Sequence, residues 1–350
     1  MITIGVDFSK KSSSYCVLDK MGQRIKRCKL ENKPELIEEF FGSLPANEPK
    51  HLAMEATRSW GLFHDTVRPY VDVFDLGHPK KMKAITDSET KNDQNDAELI
   101  ARLAHSNFLP KAHISSLDTR QLRSLIRTRR FWVEERKSVR NQIHTLIDRN
   151  LWPHERPQNF KDIFCVRGLK WLEMLKLPVR ERFLLDQWLE GYRQLTQKIL
   201  TLERFIESET INHPDLKHLK TVPGFKKGGI NTLTVLFEAD QIQRFRKARH
   251  FAHYAGLVPS EYSSGDKHRT GRLVKGANLH LRGAFIESTF AAVRTDPGLK
   301  AYYKQVKLRS GAGSAIVATA RKLSYAVYAV LKEKRNYRME PLPQAAVSLS

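Results

Sequence analysis

From Met1 to about residue 110 the sequence keeps changing its period, and that succession narrows the possible folds more than any other property of the chain. "ITIGVDFS", "SSYCVLD" and "RIKRCKL" are short runs with β-branched residues, and "KMGQ" supplies a tight turn. "KPELIEEFFGSL" then carries apolar residues at helical spacing, "HLAMEA" reads as strand, "WGLFHDTVRPY" as helix, "VDVFDLG" as strand and "QNDAELIARLAHS" as a helix with an acidic first turn. The order β-β-β-α-β-α-β is that of an RNase H-like domain, in which the first and fourth strands lie side by side.

Asp7 sits in "GVDFSK" among apolar strand residues, where an uncompensated carboxylate is expensive to bury. Glu55 repeats the pattern at the end of "LAME", and Asp93 and Asp96, three apart in "KNDQNDAELI", share one side of a helix start. With strands one and four adjacent, Asp7 and Glu55 converge, and the helix after the last strand can bring Asp93 and Asp96 to them. Four carboxylates facing one point repel one another unless divalent metal sits among them, and hard oxygen donors select Mg²⁺ or Mn²⁺. Two such ions can activate a nucleophile and stabilise a leaving oxygen in phosphodiester cleavage. Each acid alone has a plainer account: Asp93 and Asp96 complement a helix dipole, Asp7 ends a strand, Glu55 is solvated. As a set in this topology they favour the metal site.

From about residue 116 long, charged helical segments take over. "TRQLRSLIRTRRFWVEERKSVRNQIHTLIDRN" places Leu122, Leu125, Ile126, Val133, Ile143, Leu146 and Ile147 on one apolar stripe and reads as half of a coiled coil. Its partner is residues 183–209, reached through the proline-bearing "LWPHERPQNF". Trp132, Trp152 and Trp171 read as core rather than as base-stacking platforms. Beyond Pro214 a third region runs through "PSEYSSGDKHRTGR" into helices around 279–293 and 312–335, and "EPLPQAAVSLS" reads as a loose tail. The expected fold class is α/β plus α: an RNase H-like catalytic domain over 1–112, a helical coiled-coil arm over 113–212 and a mainly helical C-terminal domain over 213–340.

Lys and Arg number 60 against 38 Asp and Glu, and the resulting +22 is spread along the chain, so a polyanion, nucleic acid first, is the natural partner. Cys16, Cys28 and Cys165 lack metal-ligand or disulfide spacing and suit a reducing cytosol. No apolar run approaches membrane-spanning length and no leader pattern follows Met1, so a cytoplasmic protein without a membrane partner is expected.

"PSEYSSGDKHRTGR", 259–272, reads as a polar loop, and a serine hydroxyl is a poor nucleophile until a base or metal activates it. Its setting raises the interest: Gly265 permits close approach to a phosphate, and Lys267, His268, Arg269 and Arg272 can neutralise charge developing there. Chemistry alone does not separate Ser263 from Ser264. "VPGFKKGGI", 222–230, reads equally as the hairpin of a helix-hairpin-helix, with Lys226 and Lys227 beside amides that bind backbone phosphate, or as a plain turn between helices. Arg123, Arg127, Arg129, Arg130, Arg136, Lys137 and Arg140 form a basic face. It suits phosphates, or it is a solvated helix face partly paired with Glu134 and Glu135; the net charge favours contact through Arg123, Arg127 and Arg130.

"GVDFSK", "MEAT" and "KNDQNDAELIA" resemble the four-acid motifs of the DEDD transposases of the insertion-sequence 110 family, whose catalytic domain is RNase H-like and RuvC-like and which includes the similar Piv-type DNA invertases. "LKTVPGFKKGGINTLTVLFEA", "FRKARHFAHYAGLVPSEYSSGDKHRTGRLVKGANLHLRGAFIES" and "ARKLSYAVYAVL" resemble the family's C-terminal transposase domain, in order and at similar spacing. The resemblance covers nearly the whole chain and is weakest from about 116 to 210; Asn92 departs from it, standing where threonine precedes the third acid. It implies that Asp7, Glu55, Asp93 and Asp96 bind metal and that Ser264, just before the glycine, is the catalytic serine. It also implies excision and insertion of DNA through a serine-linked intermediate, the carboxylate site of one subunit completed by the serine domain of another, hence a dimer or tetramer, and a structured guide RNA from the element's end. The alternatives are a site-specific invertase of the same chemistry, a junction-resolving nuclease that uses water, and a non-catalytic nucleic-acid-binding protein.

Overall fold

The apolar, β-branched runs of the first hundred residues form β1 (Ile2–Phe8), β2 (Ser12–Leu18), β3 (Arg24–Glu31), β4 (Lys50–Glu55) and β5 (Val73–Gly77). The computed structural model describes residues 1–83, 93–157, 162–264 and 267–338, without the side chains of 93, 94, 153 and 261–270. It divides the chain into two units, Met1–Leu117 and Asp118–Ser350.

In the first unit the sheet order is β3-β2-β1-β4-β5. The β1–β2 and β2–β3 pairs are antiparallel and the β1–β4 and β4–β5 pairs parallel, so strands one and four are neighbours as the element order demands. The helices are α1 (Pro34–Gly42), α2 (Trp60–Val67), α3 (Pro79–Lys83) and α4 (Asp93–His105). Strand alternation sorts the residues between two faces. On one face Ile4, Val6, Tyr15, Leu52 and Met54 pack with Ile37 and Phe40 of α1 and Phe63 of α2. On the other, Cys16, Leu18 and Ala53 meet Ala97, Ile100, Ala101 and Ala104 of α4. Gly5 makes that second contact possible: a Cβ there would lie 2.1 Å from the Ala97 carbonyl oxygen and 2.4 Å from the Ala101 nitrogen.

The remaining elements are α5 (Leu117–Asn150), α6 (Val166–Met174), α7 (Val179–Thr210), α8 (Leu216–Leu219), α9 (Ile230–Ala239), α10 (Ala248–Tyr254), β6 (Pro259–Ser264), β7 (Lys267–Leu273), α11 (Leu279–Thr295) and α12 (Pro297–Glu333), the last kinked at Gly311. Helices α5 and α7 run antiparallel: Arg129 bonds Glu203, Arg136 donates to Thr196 and Arg149 pairs with Glu181. One end of the pair closes over Ile143, Leu146, Leu172, Leu185 and Leu189. At the other end Leu122, Ile126 and Ile206 enter a larger core that includes Phe225, Phe251, Phe285 and Leu323. Polar side chains start the last two helices: Asn278 accepts from the His280 and Leu281 N–H groups, and Asp296 from that of Leu299, caps worth ~1 kcal/mol each.

Two expectations are corrected. Residues 259–264 and 267–273 are not an open loop: they are β6 and β7, which pair antiparallel, and the serines, glycines and charges of the stretch hide the strand pattern because it has few apolar positions to alternate; Gly265 and Asp266 lie outside the described residues. Trp152 is not core; it is 72% exposed just beyond the end of α5, outside the apolar stripe, while Trp132 and Trp171 are half-buried.

Candidate active site

Sheet register lines up the acids of the first unit. Asp7 stands opposite Ser14, Ser14 opposite Lys29, and Glu55 opposite Gly77. The β1–β4 register pairs Val6 with Met54, and one residue further it sets Asp7 beside Glu55. Alternation puts this row on the face of Gly5 and Ala53, the face that α4 covers.

The direction of α4 then decides which of its residues comes near. The Thr3 Oγ1 atom lies 3.4 Å from the His105 Nδ1 atom, and Gly5 meets Ala97 and Ala101, so α4 runs against β1. From Gly5 to Asp7 the strand advances about 6.6 Å, which spans about four helical residues at 1.5 Å each. That leads from the Ala97–Ala101 turn back to the first turn of α4, where Asp93 and Asp96 stand. The fold therefore draws Asp7, Glu55 and the start of α4 to one end of one sheet face, and Asp7, Glu55 and Asp96 are half-buried there. The Asp93 side chain and Asn92 lie outside the described residues. Among the described residues no group of three or more His, Cys, Asp or Glu side chains is gathered closely enough to hold a metal ion.

Neighbours that the sequence did not flag support this end of the sheet. Ser14 is 2% exposed and its hydroxyl has no hydrogen-bond partner among the described residues. Arg27 donates to the Asn95 side chain at 3.1 Å, and Arg24 pairs with Glu98 at 2.6 Å, fastening β3 to α4. Hydrogen bonds from Arg102 and Arg24 hold the Glu98 carboxyl below its ordinary range. No motif marks Arg24 or Arg27; only the register of β3 brings them here.

In the second unit the hairpin sets Ser264 opposite Lys267, Ser263 opposite His268 and Tyr262 opposite Arg269; the side chains of these six lie outside the described residues. Arg272 is exposed on β7 and its carbonyl accepts from the Ser260 hydroxyl at 2.9 Å. The base of the hairpin is anchored. The Val274 N–H donates to the Val258 carbonyl at 3.1 Å, Arg282 donates to the Val274 carbonyl at 2.9 Å, and Asn278 donates through its side chain to Glu238 at 2.7 Å.

Glu238 is fully buried in α9 and receives both arms of the Arg127 guanidinium, at 2.7 and 2.8 Å. Burial acts to raise its carboxyl, but Arg127, Asn278 and Arg123 together outweigh that and hold it below the ordinary carboxylate value. Glu238 carries the cue that singled out Asp7, a carboxylate in an apolar run ("TVLFEAD"), and here the same cue marks an ion pair that joins α5 to α9.

The basic face of α5 is likewise engaged. Arg123 donates to the Phe237 carbonyl at 2.7 Å and lies 3.4 Å from Asp240, Arg130 is 3.3 Å from the Leu279 carbonyl, and Arg140 pairs with Asp162 at 2.9 Å. A phosphate contact through Arg123 or Arg127 requires exchange of these bonds. Lys226 and Lys227 are exposed between α8 and α9. Their turn is pressed onto α11 by Gly224, whose φ of +87° favours glycine and whose Cβ would lie 2.3 Å from the Ser288 carbonyl oxygen. Among the described residues no helix is long and apolar enough to cross a membrane.

Two family models match parts of the chain: a DEDD transposase model of the IS110 type covers residues 4–151, and one described as "Transposase IS116/IS110/IS902 family" covers 216–304. A Pseudomonas aeruginosa protein named "Probable family 20 transposase" is 26% identical over 340 residues, covering 96% of this chain and 98% of the relative. The Coxiella burnetii transposase for insertion sequence element IS1111A is 23% identical over 341 residues, covering 96% and 91%. The pilin gene-inverting protein of Moraxella bovis is 28% identical over 131 residues, 35% of this chain and 40% of that protein. With one model on the sheet that carries the acids and the other on the helical part that includes the hairpin, the chain belongs to the IS110 family of DEDD transposases.

Proposed function

We propose that this chain cleaves and rejoins DNA by phosphoryl transfer, with Ser264 as nucleophile and Asp7, Glu55, Asp93 and Asp96 as the carboxylates of a Mg²⁺ or Mn²⁺ site on an RNase H-like, RuvC-like scaffold. The observation that carries this reading is the sheet register, which sets Asp7 beside Glu55 on the α4 face, toward the end where α4 begins. The donor set fits a hard divalent ion: carboxylate oxygens only, with the Ser14 hydroxyl, which has no partner among the described residues, across from Asp7. Bound there, the ion would supply Lewis acidity to a phosphate oxygen and ease deprotonation of the attacking hydroxyl.

In the reaction the Ser264 oxygen bonds to phosphorus while one P–O bond of the DNA strand breaks, leaving one end phosphoserine-linked and the other a free hydroxyl. Ser264 is favoured over Ser263 by the family resemblance, which sets the catalytic serine just before the glycine. Lys226, Lys227, His268 and Arg272 fit contacts to backbone phosphates. In sequence, a catalytic domain over 1–112 is followed by the α5–α7 pair as a coiled-coil arm and then by a serine-bearing domain over 213–340.

The family resemblance extends the proposal to a structured guide RNA, to duplex DNA at the element ends and target, to a homodimer or tetramer that completes each site between subunits, and to action in the cytoplasm. Inversion of a DNA segment by the same chemistry is the second reading, favoured by the similarity to the Moraxella pilin gene-inverting protein.

The test is a denaturing gel of labelled duplex carrying the gene's flanking sequence. Wild type is expected to give a covalent protein–DNA adduct, and Ser264→Ala none, with duplex binding retained. Adducts that persist in Ser264→Ala remove the serine from this role, and hydrolysed ends without any adduct point to water as nucleophile.

A further inference from the structure

A cavity of about 330 Å³ opens against the C-terminal half of α12 and is lined by Lys322, Tyr325, Arg335, Tyr337 and Arg338 over a floor that includes Ala326 and Ala329. Its far wall exists because the chain reverses after α12. Lys334 adopts a left-handed conformation (φ 49°), and the Arg335 N–H donates to the Val330 carbonyl. The Tyr337 N–H then donates to the Thr221 hydroxyl at 2.8 Å and its phenol to the buried Asp296 at 3.0 Å. Tyr337 is thereby held across the cavity from α12. Tyr325 is oriented by Arg321, which donates to its phenol oxygen at 2.9 Å.

Three cations line the cavity. Arg335 is paired with Glu333. Lys322 and Arg338 have no ion-pair partner among the described residues, and the Lys322 amine rests 4.0 Å from the centre of the Tyr302 ring. Burial pushes the Lys322 ammonium below its ordinary value, which leaves it with an incentive to gain an anion.

Two tyrosines, two cations without an ion-pair partner among the described residues, and small residues in one lining are the features that bind an unstacked nucleotide. The volume suits one drug-sized ligand, and a duplex, whose bases are stacked and paired, cannot enter it. An acidic peptide would answer the cations but leave the tyrosine faces without a planar partner.

We propose that this cavity binds one unpaired nucleotide of a single-stranded nucleic acid, its base against Tyr325 and Tyr337 and its phosphate against Lys322 and Arg338. The proposal rests on the reading that the protein handles nucleic acid, but not on the serine or metal chemistry.

The test is fluorescence anisotropy of the full chain with labelled oligo(dA), oligo(rA) and a duplex of equal length. Tyr325→Ala and Lys322→Met are each expected to weaken oligonucleotide binding by about ten-fold, with duplex affinity unchanged within about two-fold and with Tyr325→Trp close to wild type. The arm with the larger loss identifies the strand as DNA or RNA. Unchanged melting temperatures keep a loss from being ascribed to misfolding. Unaltered oligonucleotide binding in both variants overturns the proposal, as does an equal loss for the duplex, or stronger competition by oligo-glutamate than by oligo(rA). Failure of the wild type to bind duplex would instead count against the functional reading.

Discussion

Gly5→Ala is the smallest change that separates the sheet from α4. The new Cβ would stand 2.1 Å from the Ala97 carbonyl oxygen, 2.4 Å from the Ala101 nitrogen and 2.7 Å from the Ala101 Cβ. Opening the shortest contact to the 3.4 Å of ordinary van der Waals approach moves α4 off β1 by about 1.3 Å. Two of the three clashing atoms are backbone, so no rotamer change relieves them. Overpacking of this kind costs ~1–3 kcal/mol, partly offset by the ~0.4–1 kcal/mol that alanine removes from unfolded-chain entropy. With the proposed four-acid site the catalytic penalty is larger, because Asp93 and Asp96 ride on α4 while Asp7 and Glu55 stay with the sheet, and a displacement of about 1 Å costs ~10²-fold in rate. The expected outcome is a protein that melts a few degrees lower, binds duplex normally and cleaves about a hundred-fold more slowly. Ala101→Gly in the same chain should restore little, since the Ala97 carbonyl remains. Wild-type cleavage by Gly5→Ala would refute the placement of the acids across this seam.

Other outcomes follow from the same geometry. Asp7→Asn and Asp96→Asn should each abolish cleavage while leaving the duplex Kd unchanged; cleavage at near wild-type rate in either would exclude that acid. Glu238→Ala should lower stability in urea unfolding by about 3 kcal/mol, the low end of the range for breaking a buried pair, because Arg127 remains 47% exposed and can turn to water. Since the folded Glu238 carboxyl is held below its ordinary 4.5, its contribution is present above that pH and is lost as pH falls through the lower folded value. Glu238→Gln should therefore flatten the acid limb of a stability–pH curve, and an unchanged limb would count against the pair. Lys226→Ala with Lys227→Ala should reduce the salt dependence of duplex binding, the slope of log K against log salt becoming shallower by ~0.9 for each phosphate that is no longer neutralised; an unchanged slope would place DNA elsewhere.

The first unit was legible in the sequence because its strands are buried and its helices amphipathic, so period and burial agree. Asp7 and Glu55 stood out for the same reason: a carboxylate in an apolar run needs a physical account. What stayed hidden depends on contacts between distant residues. Gly5 gives no sign in the sequence that a helix will lie on it, and Arg24 and Arg27 look like any basic edge strand. On α5, charge periodicity pointed outward to phosphate, whereas Arg123, Arg127 and Arg129 find Asp240, Glu238 and Glu203. Those partners lie far along the chain, and local reading has no access to them. The hairpin carrying Ser264 was obscured by composition, because a polar strand pair lacks the hydrophobic alternation that announces a strand.

The most direct test of the central claim is to trap the protein–DNA adduct, digest both partners and locate the attached nucleotide by tandem mass spectrometry. The account predicts a nucleotide phosphate on the Ser264 oxygen in the peptide that spans the hairpin. Attachment to Ser263 or to any other side chain would contradict it.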